Sequence, residues 1–255
     1  MIPSSHSART LVGVLALLLA AACSSTRELA DTEFGPTDVT PAQLARALPD
    51  YRGSLHAVSG EGRAVVSSEE GTERVTIRFR GNRLRSLLEI RNSLGIEGGR
   101  MLSDGDTLLI WNRLDGFARK IPIRPGSLRS IDHLASLNVL QMLNFTVEAA
   151  PIRRVLASDE LLRADLEGGG KIYAGRSDTL VRRVEQPPSS GLPYSRIDYE
   201  AYARTGDYAI PRKITIFSAD GNARVVFQIR SLEINPELDS LRIDLPPDIP
   251  IYHGS

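Results

Sequence analysis

Between Glu73 and Arg80 the side chains alternate strictly: Val75, Ile77 and Phe79 are apolar, while Arg74, Thr76, Arg78 and Arg80 are polar. A period of two sends successive residues to opposite sides of an extended chain, so this stretch predicts an antiparallel strand with one buried and one wet face. The pattern sets in at His56 and recurs in residues 83–90, 98–104, 106–112 and 116–123. Gly81-Asn82, Asp104-Gly105 and Asp115-Gly116 separate these runs and tolerate the backbone angles that hairpins need. The first half therefore reads as a β-meander. Beyond Pro151 the alternation resumes at 160–167, 170–176, 179–186, 195–203, 212–219 and 223–235, with a last short strand expected at 239–245. No internal repeat of solenoid length is present.

Two segments follow the helical period instead. Thr40 as N-cap, Pro41 at the first helical position and apolar Leu44, Ala45 and Leu48 predict a short helix that ends before Pro49. Residues 127–145 are apolar at 128, 131, 134, 137, 140 and 143, and again at 139, 142 and 145, with Ser127 as the expected N-cap. An apolar face this wide must be covered by something. The expected order is helix, about five strands, one or two very apolar helices, then about six strands.

The single cysteine, Cys23, closes an apolar run from Leu11 to Leu19, after three alanines and before Ser24 and Ser25. A positive start at Arg9, an apolar stretch and a small-residue exit have the parts of an export signal. The run is too short for a spanning helix, which needs roughly 20 apolar residues. The pattern resembles the bacterial lipobox, with Ala20 where Leu is commoner. That resemblance implies a signal peptide at 1–22, a mature N-terminus at Cys23 carrying a diacylglyceryl group on sulfur and an acyl chain on nitrogen, and a protein that sits on a membrane without crossing it. Ser24 after the lipidated residue favours the outer membrane. A soluble secreted protein with one stray thiol is the alternative. The polar stretch at 23–39 reads as a tether, leaving 40–255 as one domain.

Lysine and arginine together balance aspartate and glutamate, and no basic stripe appears, which gives nucleic-acid binding no electrostatic footing. The sequence also lacks a catalytic signature. His56, His133 and His253 are never at metal-pair spacing. The glycines at 168–170 lack the rest of a phosphate loop and read as a hairpin turn, as does 103–106. Asp198 and Glu200 fall on one strand face, where exposed charges are the expected reading. The chain is read as a non-enzyme with no metal and no cofactor beyond the acyl groups on Cys23.

A curling antiparallel sheet with one apolar face, covered by an apolar helix, makes a half-barrel with a lid. Such a concavity is either fully packed or open to an acyl chain. The residues expected to line it are Val75, Ile77, Phe79, Leu88, Ile110, Leu134, Leu137, Leu140, Leu143, Ile214, Ile216, Phe227 and Ile229, each of which also suits an ordinary core. The stretch "SLGIEGGRMLSDGDTLLIWNRLDGFARK", the apolar "LASLNVLQMLNF" and the C-terminal "IPRKITIF", "VFQIRSLEINPEL" and "LPPDIP" resemble a family of Gram-negative lipoproteins, and through them the LolA/LolB superfamily of lipoprotein carriers and receptors. The resemblance covers roughly residues 40–250. It implies a mainly β (α+β) fold, a curved antiparallel half-barrel with helices over its concave face. It also implies a periplasm-facing role in holding lipid or the acyl chains of other lipoproteins. The second reading is a structural or assembly lipoprotein with a full core whose arginine-rich face, with Arg74, Arg78 and Arg80, binds an envelope protein partner.

Overall fold

The computed structural model describes residues 32–123, 137–147, 150–192 and 194–254 of the 255. The chain divides after Gly35 into two compact units, and the second, Pro36–Ser255, carries the architecture below. The strands are β1 (Gly35–Pro36), β2 (Ala57–Ser68), β3 (Gly71–Asn82), β4 (Ser86–Arg91), β5 (Glu97–Ser103), β6 (Thr107–Asn112) and β7 (Phe117–Pro122), then β8 (Ile152–Ala157), β9 (Leu161–Leu166), β10 (Lys171–Gly175), β11 (Val181–Glu185), β12 (Tyr194–Thr205), β13 (Tyr208–Ser218), β14 (Arg224–Ile234) and β15 (Ile251–His253). Two helices accompany them, α1 (Pro41–Ala47) and α2 (Val139–Leu143).

The fold is the expected one, a mainly β protein built on one open, curved sheet. Its order is β8-β9-β10-β11-β12-β13-β14-β2-β3-β4-β5-β6-β7-β15. Two meanders are therefore joined where β14 pairs antiparallel with β2, Phe227 opposite Ala64. The neighbours from β8 to β7 in this order pair antiparallel, and β15 pairs parallel with β7. Bulges interrupt the register in β12 between Tyr194 and Arg196 and in β14 between Ile229 and Ser231, and such insertions bend and twist a strand.

Register explains the core. Val155, Ala164, Ile172, Val184, Ile197 and Ile216 are successive cross-strand partners, so one row of apolar side chains lines the concave face. Leu44 and Leu48 at α1, Leu55 and Val139, Leu140 and Leu143 of α2 join the same buried cluster. At α1, Thr40 and Gln43 form a reciprocal capping box, and Pro41 opens the helix.

Two expectations change, and that for 127–145 falls partly outside the described residues. Of this segment the structure describes 137–145, where a helix occupies Val139–Leu143 with Asn138 as its N-cap, the Asn138 side chain accepting from the N–H groups of Leu140 and Gln141. Residues 127–136, including Ser127 and Leu134, lie outside the described residues, as do Cys23 and His133. At 137–143 the wide apolar face is buried on two sides, Leu137, Val139 and Met142 lining one cavity while Leu140 and Leu143 join the core. The strand expected at 239–245 is absent: the segment runs without ladder pairing, Leu241 is buried with its carbonyl accepting from Arg85, and Pro246 and Pro247 follow. The last strand is β15 instead, and β8 was not anticipated. Finally, Asp198 is buried, not exposed, and ion-pairs with buried Arg183 at 2.6 Å.

Candidate functional site

The site is the hollow between the concave face of β2, β3, β4 and β14 and helix α2. Alternation puts Val75, Ile77 and Phe79 of β3 on this face. Their partners on β4, Ile90 opposite Ile77 and Leu88 opposite Phe79, point the same way. On the other flank, Val66 faces Val225, and Val225 faces Ile216. These side chains enclose a cavity of about 510 Å³. That falls within the roughly 300–1,000 Å³ of ordinary ligand pockets.

One end of the cavity is closed by α2. Asn138 Nδ2 donates to the carbonyl of Asn82 at 2.9 Å, and the N–H of Val139 donates to the buried Ser86 hydroxyl at 2.9 Å. Val139 then lies directly over Gly81, where a Cβ would collide with it. Only glycine admits this approach, so the helix is seated on the end of the β3–β4 hairpin. Leu137, Val139 and Met142 form the closing wall. The other end opens at the β2–β3 turn, where Ser68, Glu70, Gly71, Thr72 and Glu73 line the mouth. From Thr72 to Phe79 the strand advances roughly 23 Å at about 3.3 Å per residue.

Behind α2 lies a second cavity of about 510 Å³, lined by Leu55, Leu140, Phe145, Ile197 and Tyr199, with Arg52 and Arg83 as its charged members. Complete burial pushes the Tyr199 phenol well up, so this hydroxyl stays neutral.

The structure thus sorts the residues expected from sequence. Val75, Ile77, Phe79, Leu88, Leu137, Ile216 and Phe227 line the large cavity. Leu140 lines the second, whereas Leu143, Ile214 and Ile229 are packed in the core. Ile110 is half-buried in the same register row as Leu88 and Met101, one strand beyond the lining. Ala64, Val66, Ile90, Met101, Val139, Met142 and Val225 complete the apolar wall and were not singled out. The period of two alone places Val225 with Phe227 and Ile90 with Leu88, so that signal was present.

At the mouth end of the sheet, the β4–β5 and β6–β7 turns carry exposed apolar side chains. Leu94 is 81% exposed, Ile96 52% and Leu114 69%. Asn92 and Asn112 hold these two turns by accepting backbone N–H groups, which leaves the leucines projecting. Among the described residues no helix is long and apolar enough to cross a membrane.

The opposite face is charged and internally paired. Burial pushes the Asp198 carboxyl up despite hydrogen bonding from Arg183. Burial likewise pushes the Arg196 guanidinium down; it stacks 3.7 Å from the Phe217 ring centroid. Trp111, on this face, lies between Arg100 and Arg113 at 5.8 and 5.1 Å. Among the described residues no three His, Cys, Asp or Glu side chains gather into a metal-binding group.

No family model matches the chain, and no curated protein matches it. Solved structures do. A LolA superfamily protein from Nitrosomonas europaea matches with a TM-score of 0.55 at 12% identity, covering 78% of this chain and 96% of that one. A DUF1329 family protein from Desulfovibrio piger matches with a TM-score of 0.55 at 11% identity over 80% and 96%. An outer membrane lipoprotein-sorting protein domain from Vibrio parahaemolyticus matches with a TM-score of 0.53 at 11% identity over 77% and 91%. At these identities the likeness is one of fold.

Proposed function

We propose that this protein is a lipid-anchored, periplasm-facing component of the outer membrane that holds an acyl chain in the large concave cavity. Its role is non-catalytic, in carrying or receiving lipids or lipoproteins. The observation that carries this reading is the cavity itself: apolar along its walls, closed by α2 and open at the β2–β3 turn. The fold shared with a LolA superfamily protein and a lipoprotein-sorting domain supports it. An unfilled cavity of this size also weighs against the fully packed core of the structural-lipoprotein reading.

Energetics set the kind of ligand. About ten buried methylenes contribute roughly 8 kcal/mol at about 0.8 kcal/mol each. Association costs about 4–15 kcal/mol, so chains much shorter than about ten carbons gain little, and single chains of about twelve carbons or more are the ligands expected to bind. The lipid anchor on Cys23 lowers that cost by keeping the domain beside its ligand source. Leu94, Ile96 and Leu114 at the mouth end suit contact with the bilayer surface, into which such side chains partition.

Native mass spectrometry of protein purified without detergent tests the reading. Co-purified lipid, or saturable uptake of a fluorescent fatty chain, is expected. Repeated absence of both contradicts it. Separately, the intact mass is expected to carry the acyl groups on Cys23, and Cys23→Ala is expected to leave the signal uncut or shift the protein to the soluble fraction.

A further inference from the structure

The large cavity is apolar along its length and ionisable at one place. Among the described residues that line it, only Glu70 and Glu73 carry charge, and both stand at the mouth. Their position follows from register. Glu73 precedes Val75, Ile77 and Phe79 in steps of two and pairs with Val66, so its carboxylate shares the concave face, while Arg74 and Arg78 stand on the opposite one. Glu70 lies in the turn before Gly71. No ion pair holds either carboxylate among the described residues. The β13–β14 turn sits at the same end, since Arg224 pairs with Ser67. It carries Asp220, whose carboxyl is held below the usual range by the Ser218 hydroxyl and the Asn222 N–H, and is followed by Arg224; neither of these lines the cavity. The charged residues that line the second cavity are instead arginines, Arg52, which is paired with Asp50, and Arg83.

We infer that the large cavity selects its amphiphile by headgroup, taking acyl chains that end in a neutral or cationic head over chains that end in a free carboxylate or phosphate. The inference rests on the acyl-chain reading above. A chain drawn in as far as α2 leaves its head among Glu70 and Glu73. Glu70 and Glu73 are exposed at the mouth, so they repel an anionic head and attract a cationic one across solvent, an effect that salt screens. A chain joined through an amide or ester to an uncharged or basic partner meets this condition. A free fatty acid at neutral pH does not.

The test displaces a neutral fluorescent dye from the full-length Cys23→Ala chain, purified without detergent. The competitors are dodecyltrimethylammonium, dodecyl maltoside, dodecanoate and dodecyl phosphate, each kept below its micelle threshold. The cationic and neutral probes are expected to bind about tenfold more tightly than the two anions, with the gap narrowing as salt is raised. Replacing Glu70→Gln and Glu73→Gln together is expected to close the gap, and Glu160→Gln, at the far end of the sheet, to leave it intact. Equal or tighter binding of dodecanoate by the unsubstituted mouth overturns the selectivity while leaving the acyl-chain reading in place, as does a gap that survives the double substitution. Failure of all four probes to bind overturns both.

Discussion

The rings of Phe79 and Phe227 meet edge to face, with centroids 5.7 Å apart and planes at 76°. They come from β3 and β14, which flank β2, and they reach each other across Gly60 and Gly62. A Cβ at Gly62 would lie 2.6 Å from Cε2 of Phe227 and 2.6 Å from the Gln228 carbonyl oxygen. This edge-to-face pair floors the cavity and locks the two meanders together at their seam. Gly62→Ala is therefore expected to cost about 1–3 kcal/mol through overpacking. The denaturant midpoint reads it, and an unchanged midpoint would mean that the rings have room to spare.

The seat of α2 makes a second prediction. Asn138→Ala removes both the N-cap of the helix and the bond to the Asn82 carbonyl. Cap losses typically cost about 1 kcal/mol. A loss of about 1–2 kcal/mol is expected, together with faster release of any bound chain because the closing wall loosens. Stopped-flow displacement of a fluorescent chain measures the second effect.

The outer face supplies a third. Arg183 and Asp198 are buried together, with side chains 7% and 6% exposed. Asp198→Ala leaves Arg183 buried without this partner, and breaking such a pair costs about 3–5 kcal/mol. The double variant Arg183→Met/Asp198→Leu is expected to recover most of that loss. Equal destabilisation by the single and double variants would show that the pair does not act as a unit.

Acid should unfold the protein through a few identifiable carboxylates. Burial alone pushes Glu97 up, but the guanidiniums of Arg100 and Arg113 hold it below the usual range. Asp165 has the same balance, burial being outweighed by Arg154 and Arg163. A carboxyl with a depressed folded pKa contributes stability that is complete above its unfolded value, about 4, and is lost as pH falls through the folded value. Asp198 has the opposite sign: its raised pKa favours the protonated form and opposes the acid loss. Tm measured against pH is expected to fall steeply below about pH 4, and Glu97→Gln to flatten that limb. A limb unaffected by Glu97→Gln would place the acid-sensitive groups elsewhere.

Exposed apolar tips lead to a prediction on membranes rather than stability. Leu94→Glu and Leu114→Glu alter side chains that project from the mouth-end turns. Each is expected to change stability by less than about 0.5 kcal/mol. Both together are expected to slow transfer of a bound chain to anionic vesicles, read by fluorescence. Unaltered transfer would assign these leucines no part in approaching the bilayer.

Much of this architecture was legible in the chain, and the exceptions share a cause. Period two announced β3 because its two faces meet different media, apolar cavity and open water, along its whole length. Thr40, Pro41 and Pro49 bounded α1 through local backbone chemistry. The wide apolar pattern at 137–143 has a non-local cause, since Leu137 and Met142 face the cavity while Leu140 and Leu143 face the core and the second cavity. Asp198 looked exposed because its partner Arg183 lies on a neighbouring strand, and pairing register is invisible to a single strand's pattern. The cavity was equally invisible: whether Val75 and Ile216 enclose space or close it depends on the volumes of residues far apart in sequence. Glu73 at the mouth, by contrast, was readable as the one acid on the apolar face of β3.

The central claim is that the space between β3 and α2 holds an acyl chain, and filling that space tests it most directly. Ile77→Trp places a large ring among the lining residues without touching Cys23, the mouth or the helix cap. Titration with a fluorescent long-chain probe should show saturable binding by the unmodified cavity and at least about tenfold weaker binding by the filled one, with the folded signal of both retained. Equal affinity for the two, or no binding by either, would contradict the account.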